Sequence, residues 1–230
     1  MPRPTMARMG RLFLVRHGQA SFGADNYDQL SPLGYRQCVR LGDYFRGKSL
    51  GFQAVLTGTL QRQIQSYDGI AEGQQMHVEP LRWPGLNEYD SHAVIASVHA
   101  QPLQKPDSPE MVRHHFRLLR DGLQQWMAGS VQPVGMPSYR EFVAGVAGAL
   151  DHVRTHHDGD VLIVSSGGPI ATAVAQLMGA TPEASIELNL RIRNSSVTEF
   201  TFTPKRHSLV TYNTLPHLDG AEYADWITHA

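Results

Sequence analysis

The chain has 230 residues, of which 41% are hydrophobic, and its formal net charge at pH 7 is -1. This size is sufficient for one substantial core, or for a core domain with a sizeable insertion. A net charge near zero excludes the general attraction for nucleic acid or anionic membranes that a basic chain has. The single cysteine, Cys38, excludes an intrachain disulfide and is consistent with a reducing, cytoplasmic compartment.

Residues 1–11 carry Arg3, Arg8 and Arg11 but no apolar segment, so the sequence predicts no secretory signal here. We expect residues 1–10 to form a flexible extension and residues 11–230 to form a single α/β domain. No apolar run reaches the length that crosses a membrane, so we expect no membrane association.

Residues 12–15 are consecutive apolar residues, and Arg16, His17 and Gly18 follow them directly. An uninterrupted apolar run is typical of a strand that is buried on both faces of a parallel sheet. Ligands of open α/β sheets bind beyond the carboxyl ends of the strands, so Arg16 and His17 are candidate site residues. The alternative, in a chain with twelve histidines, is that His17 is an ordinary polar residue at a strand end.

The next element is predicted to be a helix that begins after Ser31, its N-cap, and ends near Gly47. Its apolar stripe contains Cys38, Leu41 and Phe45 at helical spacing. The position of Cys38 on this stripe favours a small core residue over a nucleophile.

A second short strand is predicted at residues 52–57, and a helix with Leu60 and Ile64 on its apolar face follows. Arg62 lies off that face in the first turn, where the helix dipole does not stabilise a cation. Arg62 therefore either faces an anion in the same cleft or is a solvated surface arginine.

Residues 81–137 are interpreted as a cap insertion over the sheet, because prolines interrupt this region repeatedly. One amphipathic helix stands out in it, with Val112, Phe116, Leu119, Leu123 and Trp126 at three- and four-residue spacing.

A third buried strand is predicted at residues 161–164, and Ser165, Ser166, Gly167 and Gly168 follow it at the start of a helix. The free N–H groups at a helix start form an anion site, and serine hydroxyls add donors to it. We expect Ser166 and the Gly167 N–H to contribute to this anion site.

Three histidines, His152, His156 and His157, lie at the polar end of the helix predicted at residues 138–155. No carboxylate or cysteine lies in ligand-like register with them, so we predict no metal site and no cofactor. The last quarter predicts strands at 196–202 and 209–212, the first of which alternates as an edge strand does. The tail, 219–230, is expected to pack on the body without contributing chemistry.

Four stretches together resemble the histidine phosphatase superfamily, the phosphoglycerate-mutase-like family. They are the Arg-His-Gly sequence at 16–18, the block at 57–66, the Leu-Asn-Glu sequence at 86–88 and the Ser-Ser-Gly-Gly sequence at 165–168. The resemblance implies a three-layer α/β/α sandwich around a mostly parallel central sheet, with a helical cap. It also implies that His17 is the nucleophile, that Arg16 and Arg62 bind phosphate, and that Glu88 is the proton donor. Asp90 is the alternative donor.

The chain departs from the family pattern at Ser166, where the family usually has a histidine that helps to hold the phosphoryl group. A hydroxyl can donate a hydrogen bond to a phosphoryl oxygen but supplies no positive charge. Either the arginines and the helix dipole carry the electrostatics, or the site binds phosphate with weak or no turnover. His92, four residues after Glu88, is a candidate replacement from the cap.

The resemblance therefore implies a cytoplasmic phosphatase that hydrolyses a phosphomonoester through a phosphohistidine on His17. Two alternatives stay open: a phosphate-binding member with weak or no catalysis, and a phosphoglycerate-type mutase. The mutase is disfavoured because Gly23 stands where such mutases have an asparagine, and Asn26 comes later. We expect a small-molecule phosphoester or phosphate as ligand, no nucleic acid and no membrane, with a homodimer left open.

Overall fold

The computed structural model of the protein describes residues 9–21, 28–101 and 108–229, and its centre is a six-stranded sheet. The strands are β1 (Gly10–Arg16), β2 (Ala54–Thr57), β3 (Leu81–Arg82), β4 (Asp160–Ser165), β5 (Val197–Thr203) and β6 (Arg206–Thr214). The helices are α1 (Pro32–Gly47), α2 (Gln61–Gln74), α3 (Ser91–Ala96), α4 (Pro109–Met127), α5 (Tyr139–His156), α6 (Gly167–Met178) and α7 (Pro182–Arg191).

The sheet has the order β3-β2-β4-β1-β5-β6. Strands β3, β2, β4 and β1 run parallel to one another, whereas β5 pairs antiparallel with both β1 and β6. The carboxyl ends of β1 and β4 therefore meet at one edge, with Arg16 opposite Ser165. This register brings the two motif-bearing strand ends together.

Two apolar clusters cover the two faces of the sheet, which confirms the expected three-layer α/β/α architecture. Successive residues of β1 alternate between them: Leu12 and Leu14 join the cluster with α3 to α7, and Phe13 and Val15 join the cluster with α1 and α2. The uninterrupted apolar run in β1 therefore reflects burial on both faces of the strand.

The prediction that the strand at 196–202 is an edge strand is wrong. Strand β5 lies between β1 and β6, and β6 is the edge strand. The alternation in β5 has another cause: Phe200 and Phe202 are buried under the helices, while Glu199 and Thr201 are only partly covered on the opposite face.

Helix α1 begins and ends where the sequence predicts. Ser31 accepts a hydrogen bond from the Gly34 N–H at its start, and its last residue is Gly47. Cys38 is fully buried, as a core residue should be, and burial raises the pKa of its thiol to about 11. The second strand begins at Ala54, two residues later than the sequence indicates.

The interpretation of residues 81–137 as a cap stays a prediction, although its amphipathic helix is present as α4. Leu119, Leu123 and Trp126 of α4 are buried against the core, but Val112 and Phe116 are exposed by 40% and 41%. Helix α7 was not predicted from the sequence.

The expected flexible extension falls mostly on residues 1–8, outside the described residues, and its last residue, Gly10, already belongs to β1. The mutase criterion, which rests on Gly23 and Asn26, also lies outside them. None of the described helices combines the length and apolar character needed to span a membrane.

Candidate active site

His17 is the first residue after β1, and backbone hydrogen bonds fix it from both sides. Its N–H donates to the Ser165 carbonyl at 2.9 Å, and its carbonyl accepts from the Ser195 N–H at 3.1 Å. The residue is 3% exposed. These backbone hydrogen bonds hold His17 in one position at the carboxyl end of β1.

The imidazole of His17 has a defined tautomer because its Nδ1 lies 2.7 Å from the Gly18 carbonyl oxygen. A carbonyl oxygen can only accept, so Nδ1 carries the proton and Nε2 carries the lone pair in the neutral ring. Burial holds the pKa of His17 well below its usual range, and the nearby cations Arg16 and Arg62 lower it further. The ring is therefore neutral at pH 7, with its lone pair on Nε2.

Arg62 is not the solvated surface arginine that the sequence left open. It lies in the first turn of α2, is 8% exposed, and its Nη1 pairs with Asp28 Oδ1 at 2.8 Å. Asp28 also accepts from the Gln61 N–H at 2.9 Å, so its carboxylate caps α2 from outside the helix. Asp28 therefore fixes the Arg62 guanidinium, and the sequence analysis did not identify this residue.

Arg16 follows the apolar part of β1, and its guanidinium contacts the C-terminal tail. Nη1 donates to the carbonyl oxygens of Ile192 at 2.5 Å and His229 at 2.7 Å. The tail, which was expected to pack on the body, thus also contacts this cation through the His229 carbonyl oxygen.

Glu88 lies half-buried at the N-terminus of α6, where the Gly168 N–H is 3.1 Å from both of its carboxylate oxygens. Burial raises the pKa of Glu88, although the Gly168 hydrogen bond and the cations Arg62 and Arg16 oppose that shift. A Cβ on Gly168 would lie 2.2 Å from Glu88 Oε1, so only glycine lets the carboxylate approach this closely. The arrangement suits a carboxyl group that gives and takes a proton.

Two buried side chains hold the segment that carries Glu88. The Leu86 carbonyl oxygen accepts from Ser165 Oγ at 2.7 Å and from Gln63 Nε2 at 2.9 Å. These bonds tie the Leu86–Glu88 segment to β4 and α2, so the backbone that carries the Glu88 carboxylate is anchored to regular secondary structure.

Ser166, the position that departs from the family pattern, is the N-cap residue of α6 and is fully buried. Its Oγ lies 2.9 Å from Gln63 Nε2. Gly167 is the first residue of α6, so its N–H is one of the donors that a helix start leaves without an intrahelical acceptor.

The other two candidates from the cap point elsewhere. The His92 side chain is 92% exposed, and its Nδ1 lies 3.8 Å from Asp90 Oδ1. Asp90 is the N-cap of α3, where it accepts from the N–H groups of His92 and Ala93. The structure gives Asp90 a helix-capping contact and places the His92 ring in solvent.

The histidines at the end of α5 form a surface cluster in which the rings of His152 and His156 stack at 4.3 Å. Within the described ranges, no group of three or more His, Cys, Asp or Glu side chains is arranged to hold a metal ion.

A family model described as "Histidine phosphatase superfamily (branch 1)" matches residues 12–215. The chain belongs to this superfamily. The match extends from β1 to the residue after β6, so it includes every site residue described above except the tail contact of Arg16.

Individual histidine phosphatases and related folds resemble the chain over most of its length. A Hydrogenobacter thermophilus protein with the provisional name phosphoserine phosphatase 2 is 26% identical over 223 residues, covering 91% of this chain and 98% of that protein. The phosphoglycerate mutase of Bacillus anthracis has a TM-score of 0.65 and 16% identity, covering 94% of this chain and 97% of that one. A phosphoserine phosphatase of Entamoeba histolytica, solved with phosphoserine, has a TM-score of 0.63 and 18% identity, covering 91% and 99%.

The structure thus brings His17, Arg16, Arg62 and Glu88 together at one end of the sheet, with Ser166 beside them. The cations that lower the pKa of His17 are the same two that act on Glu88. The chemical roles of these residues in this histidine phosphatase stay predictions.

Proposed function

We propose that this protein hydrolyses a small phosphomonoester through a phosphohistidine intermediate on His17. The observation that carries the proposal is the state of His17: its buried ring is neutral, Nδ1–H is bound to the Gly18 carbonyl, and Nε2 is left to attack. The phosphatase names of the relatives above agree with this reaction.

In the first step, Nε2 of His17 forms a bond to phosphorus while the bond to the leaving oxygen breaks. Glu88, whose raised pKa favours its acid form, gives its proton to that oxygen. Arg16 and Arg62 offset the negative charge on the phosphoryl oxygens, and the α6 N-terminus adds its dipole.

In the second step, the Glu88 carboxylate accepts a proton from water as the water oxygen attacks phosphorus. The bond between phosphorus and Nε2 breaks, inorganic phosphate forms, and His17 returns to its neutral state. Glu88 is again protonated and ready for the next substrate molecule.

A phosphate-binding protein with weak or no turnover is the second candidate, and Ser166 is the observation that favours it. The hydroxyl adds a donor but no charge, so the two arginines alone supply the cationic stabilisation of the transition state.

We place the protein in the cytoplasm, with a small phosphoester as ligand and neither nucleic acid nor membrane as a partner. We propose no mutase activity.

The test is hydrolysis of p-nitrophenyl phosphate without added metal by the wild type and by His17→Ala. We expect turnover in the wild type and a loss of at least about 10³-fold in the variant, since the nucleophile is gone. The variant should still bind inorganic phosphate through Arg16 and Arg62. Unchanged activity in His17→Ala would overturn the proposal. No turnover in either protein, with phosphate still raising the melting temperature of the wild type, would favour the binding candidate.

A further inference from the structure

Gln63 follows Arg62 in the first turn of α2, and its side chain is fully buried beside the site. Its carboxamide makes three hydrogen bonds. Oε1 accepts from the Leu60 N–H at 3.3 Å, and Nε2 donates to the Leu86 carbonyl and to Ser166 Oγ, each at 2.9 Å.

These partners fix which end of the amide is oxygen and which is nitrogen. The Leu60 N–H can only donate, so the atom facing it is Oε1. The Leu86 carbonyl can only accept, so the atom facing it is Nε2. An amide nitrogen has two protons, and these two acceptors use both of them. Ser166 Oγ is therefore an acceptor towards Gln63.

Because its oxygen accepts from Gln63, the Ser166 hydroxyl has its own proton free to donate to a partner other than Gln63. The pairing of Arg16 with Ser165 in the parallel strands places Ser166 beside His17, at the N-terminus of α6. A proton that points from Ser166 into this corner meets an anion held by the arginines and the helix start.

We propose that Gln63 is a positioning residue that makes the Ser166 hydroxyl a donor to the phosphoryl group. Gln63 and Ser166 thus act as one unit in the place where the family pattern has an imidazole. This inference rests on the proposed function, since it assumes that the corner beside His17 holds the phosphoryl group. It also explains why a fully buried amide stands directly after the phosphate-binding Arg62.

The unit differs from an imidazole in one measurable way: neither the amide nor the hydroxyl titrates between pH 5 and 8. A histidine at Ser166 would add an ionisation to phosphate binding in that range. The chain's own pair keeps its donor strength constant there.

The experiment is a double-mutant cycle of Gln63→Met and Ser166→Ala, read by p-nitrophenyl phosphate kinetics and by calorimetric binding of inorganic phosphate. A hydrogen bond to a charged group predicts a loss of about 10- to 100-fold for each single variant. If Gln63 acts through Ser166, the double variant is no worse than Ser166→Ala.

The matched control is the same cycle with Ser165→Ala, because Ser165 shares the Leu86 carbonyl with Gln63 but does not contact its amide. If Gln63 only anchored the Glu88 segment, its loss would multiply with that of Ser166→Ala and would couple to Ser165→Ala instead. That pattern would overturn the proposal.

A pair of replacements tests the same unit by rescue. The Gln63 amide nitrogen is 2.9 Å from Ser166 Oγ, so the larger ring in Ser166→His would clash with Gln63. We expect this single variant to lose activity. Combined with Gln63→Ala, it should return activity to within about tenfold of wild type and add to phosphate binding an ionisation that the wild type lacks. Wild-type activity in Ser166→His alone would contradict the proposal that Gln63 and Ser166 act as one unit.

The two proposals fail in different ways. If the Gln63 and Ser166 variants are coupled in phosphate affinity but the wild type shows no turnover, the Gln63–Ser166 unit is retained and the proposed catalysis is rejected. Turnover that depends on His17, with an additive Gln63 and Ser166 cycle, would retain catalysis and reject the unit. A wild type that neither turns over nor binds phosphate would reject both.

Discussion

Glu88 has two roles in the proposed reaction: it donates a proton to the leaving oxygen and later accepts one from water. Substrates whose leaving groups differ in their need for a proton distinguish the two roles. In Glu88→Gln, p-nitrophenolate can still leave, because it needs no proton, but water attack on the phosphohistidine loses its base. We expect a burst of p-nitrophenol equal to the enzyme concentration, followed by steady turnover about 10²- to 10⁴-fold below wild type. An alkyl phosphate should give no burst. Rapid-mixing kinetics with both substrates measures this.

Asp90→Asn is the control for that prediction. Asp90 is two residues from Glu88 and caps α3, a duty that asparagine performs equally well. We expect wild-type burst and steady-state rates from it. If Asp90→Asn lost turnover while Glu88→Gln kept it, the assignment of the proton donor would be wrong.

The sequence identified the residues whose type and strand position indicate chemistry, and it missed those that act by contact. Arg16 and His17 follow a buried strand, and such a position predicts a site residue. Gln63 and Asp28 carry no such signal. Gln63 meets Ser166 across 103 residues, and Asp28 meets Arg62 across 34, so only the tertiary fold makes these contacts visible.

The N-terminus of α6 is the element whose geometry is most tightly constrained. Its Gly168 lies against the Glu88 carboxylate and the Tyr89 ring, where an added Cβ would meet atoms at 2.2 and 2.8 Å. Gly168→Ala should therefore displace Glu88 and reduce kcat by about 100-fold, the cost of a misplacement of about 1 Å. Phosphate affinity, which depends on the arginines, should change less than kcat.

Gly47→Ala, at the end of α1, is a control for that substitution, because an added Cβ there meets no atom within 4 Å. It should keep wild-type kcat. Steady-state kinetics and phosphate calorimetry on the two variants compare the effects. Equal loss of kcat and phosphate affinity in Gly168→Ala would mean that α6 itself had moved.

Errors in the predicted elements trace to what hydrophobic patterns report. Alternation in β5 reports that helices cover only one face, and it says nothing about whether both strand edges are paired. The pattern therefore resembled that of an edge strand. Helix α7 was missed although Thr181-Pro182 repeats the start signal of Ser31-Pro32, with Thr181 accepting from the Ala184 N–H.

At the scale of the molecule, the order of buried strands and amphipathic helices was enough to predict the layered architecture. Two uninterrupted apolar strands with helices between them require cover on both faces, and the two apolar clusters provide it. The sequence did not predict that β5 and β6 belong to the same sheet. One face of these strands is polar and half-exposed, and such a pattern does not indicate which strand they pair with.

The whole fold also carries a pH dependence that comes from histidines buried in their neutral form. Burial lowers the pKa of His217 to about 3 and that of His207 to about 4, and it lowers the pKa of His17 as well. At a pH between these folded-state pKa values and the unfolded histidine pKa of about 6.5, the unfolded chain binds protons that the folded protein does not. The free energy of unfolding should therefore be greatest above pH 6.5 and fall as the pH is lowered towards 4.

Each such histidine contributes a slope of up to about 1.4 kcal/mol per pH unit below its unfolded pKa. His217→Gln should thus reduce the slope by about one proton, although the variant also loses the contact between His217 Nε2 and Ser195 Oγ at 2.9 Å. Urea unfolding of both proteins between pH 4 and 8 measures the slopes. The loss of the contact lowers stability at every pH, whereas the loss of titration changes only the slope. Parallel curves for the two proteins would show that His217 binds protons equally in the folded and unfolded states, which would contradict a lowered pKa.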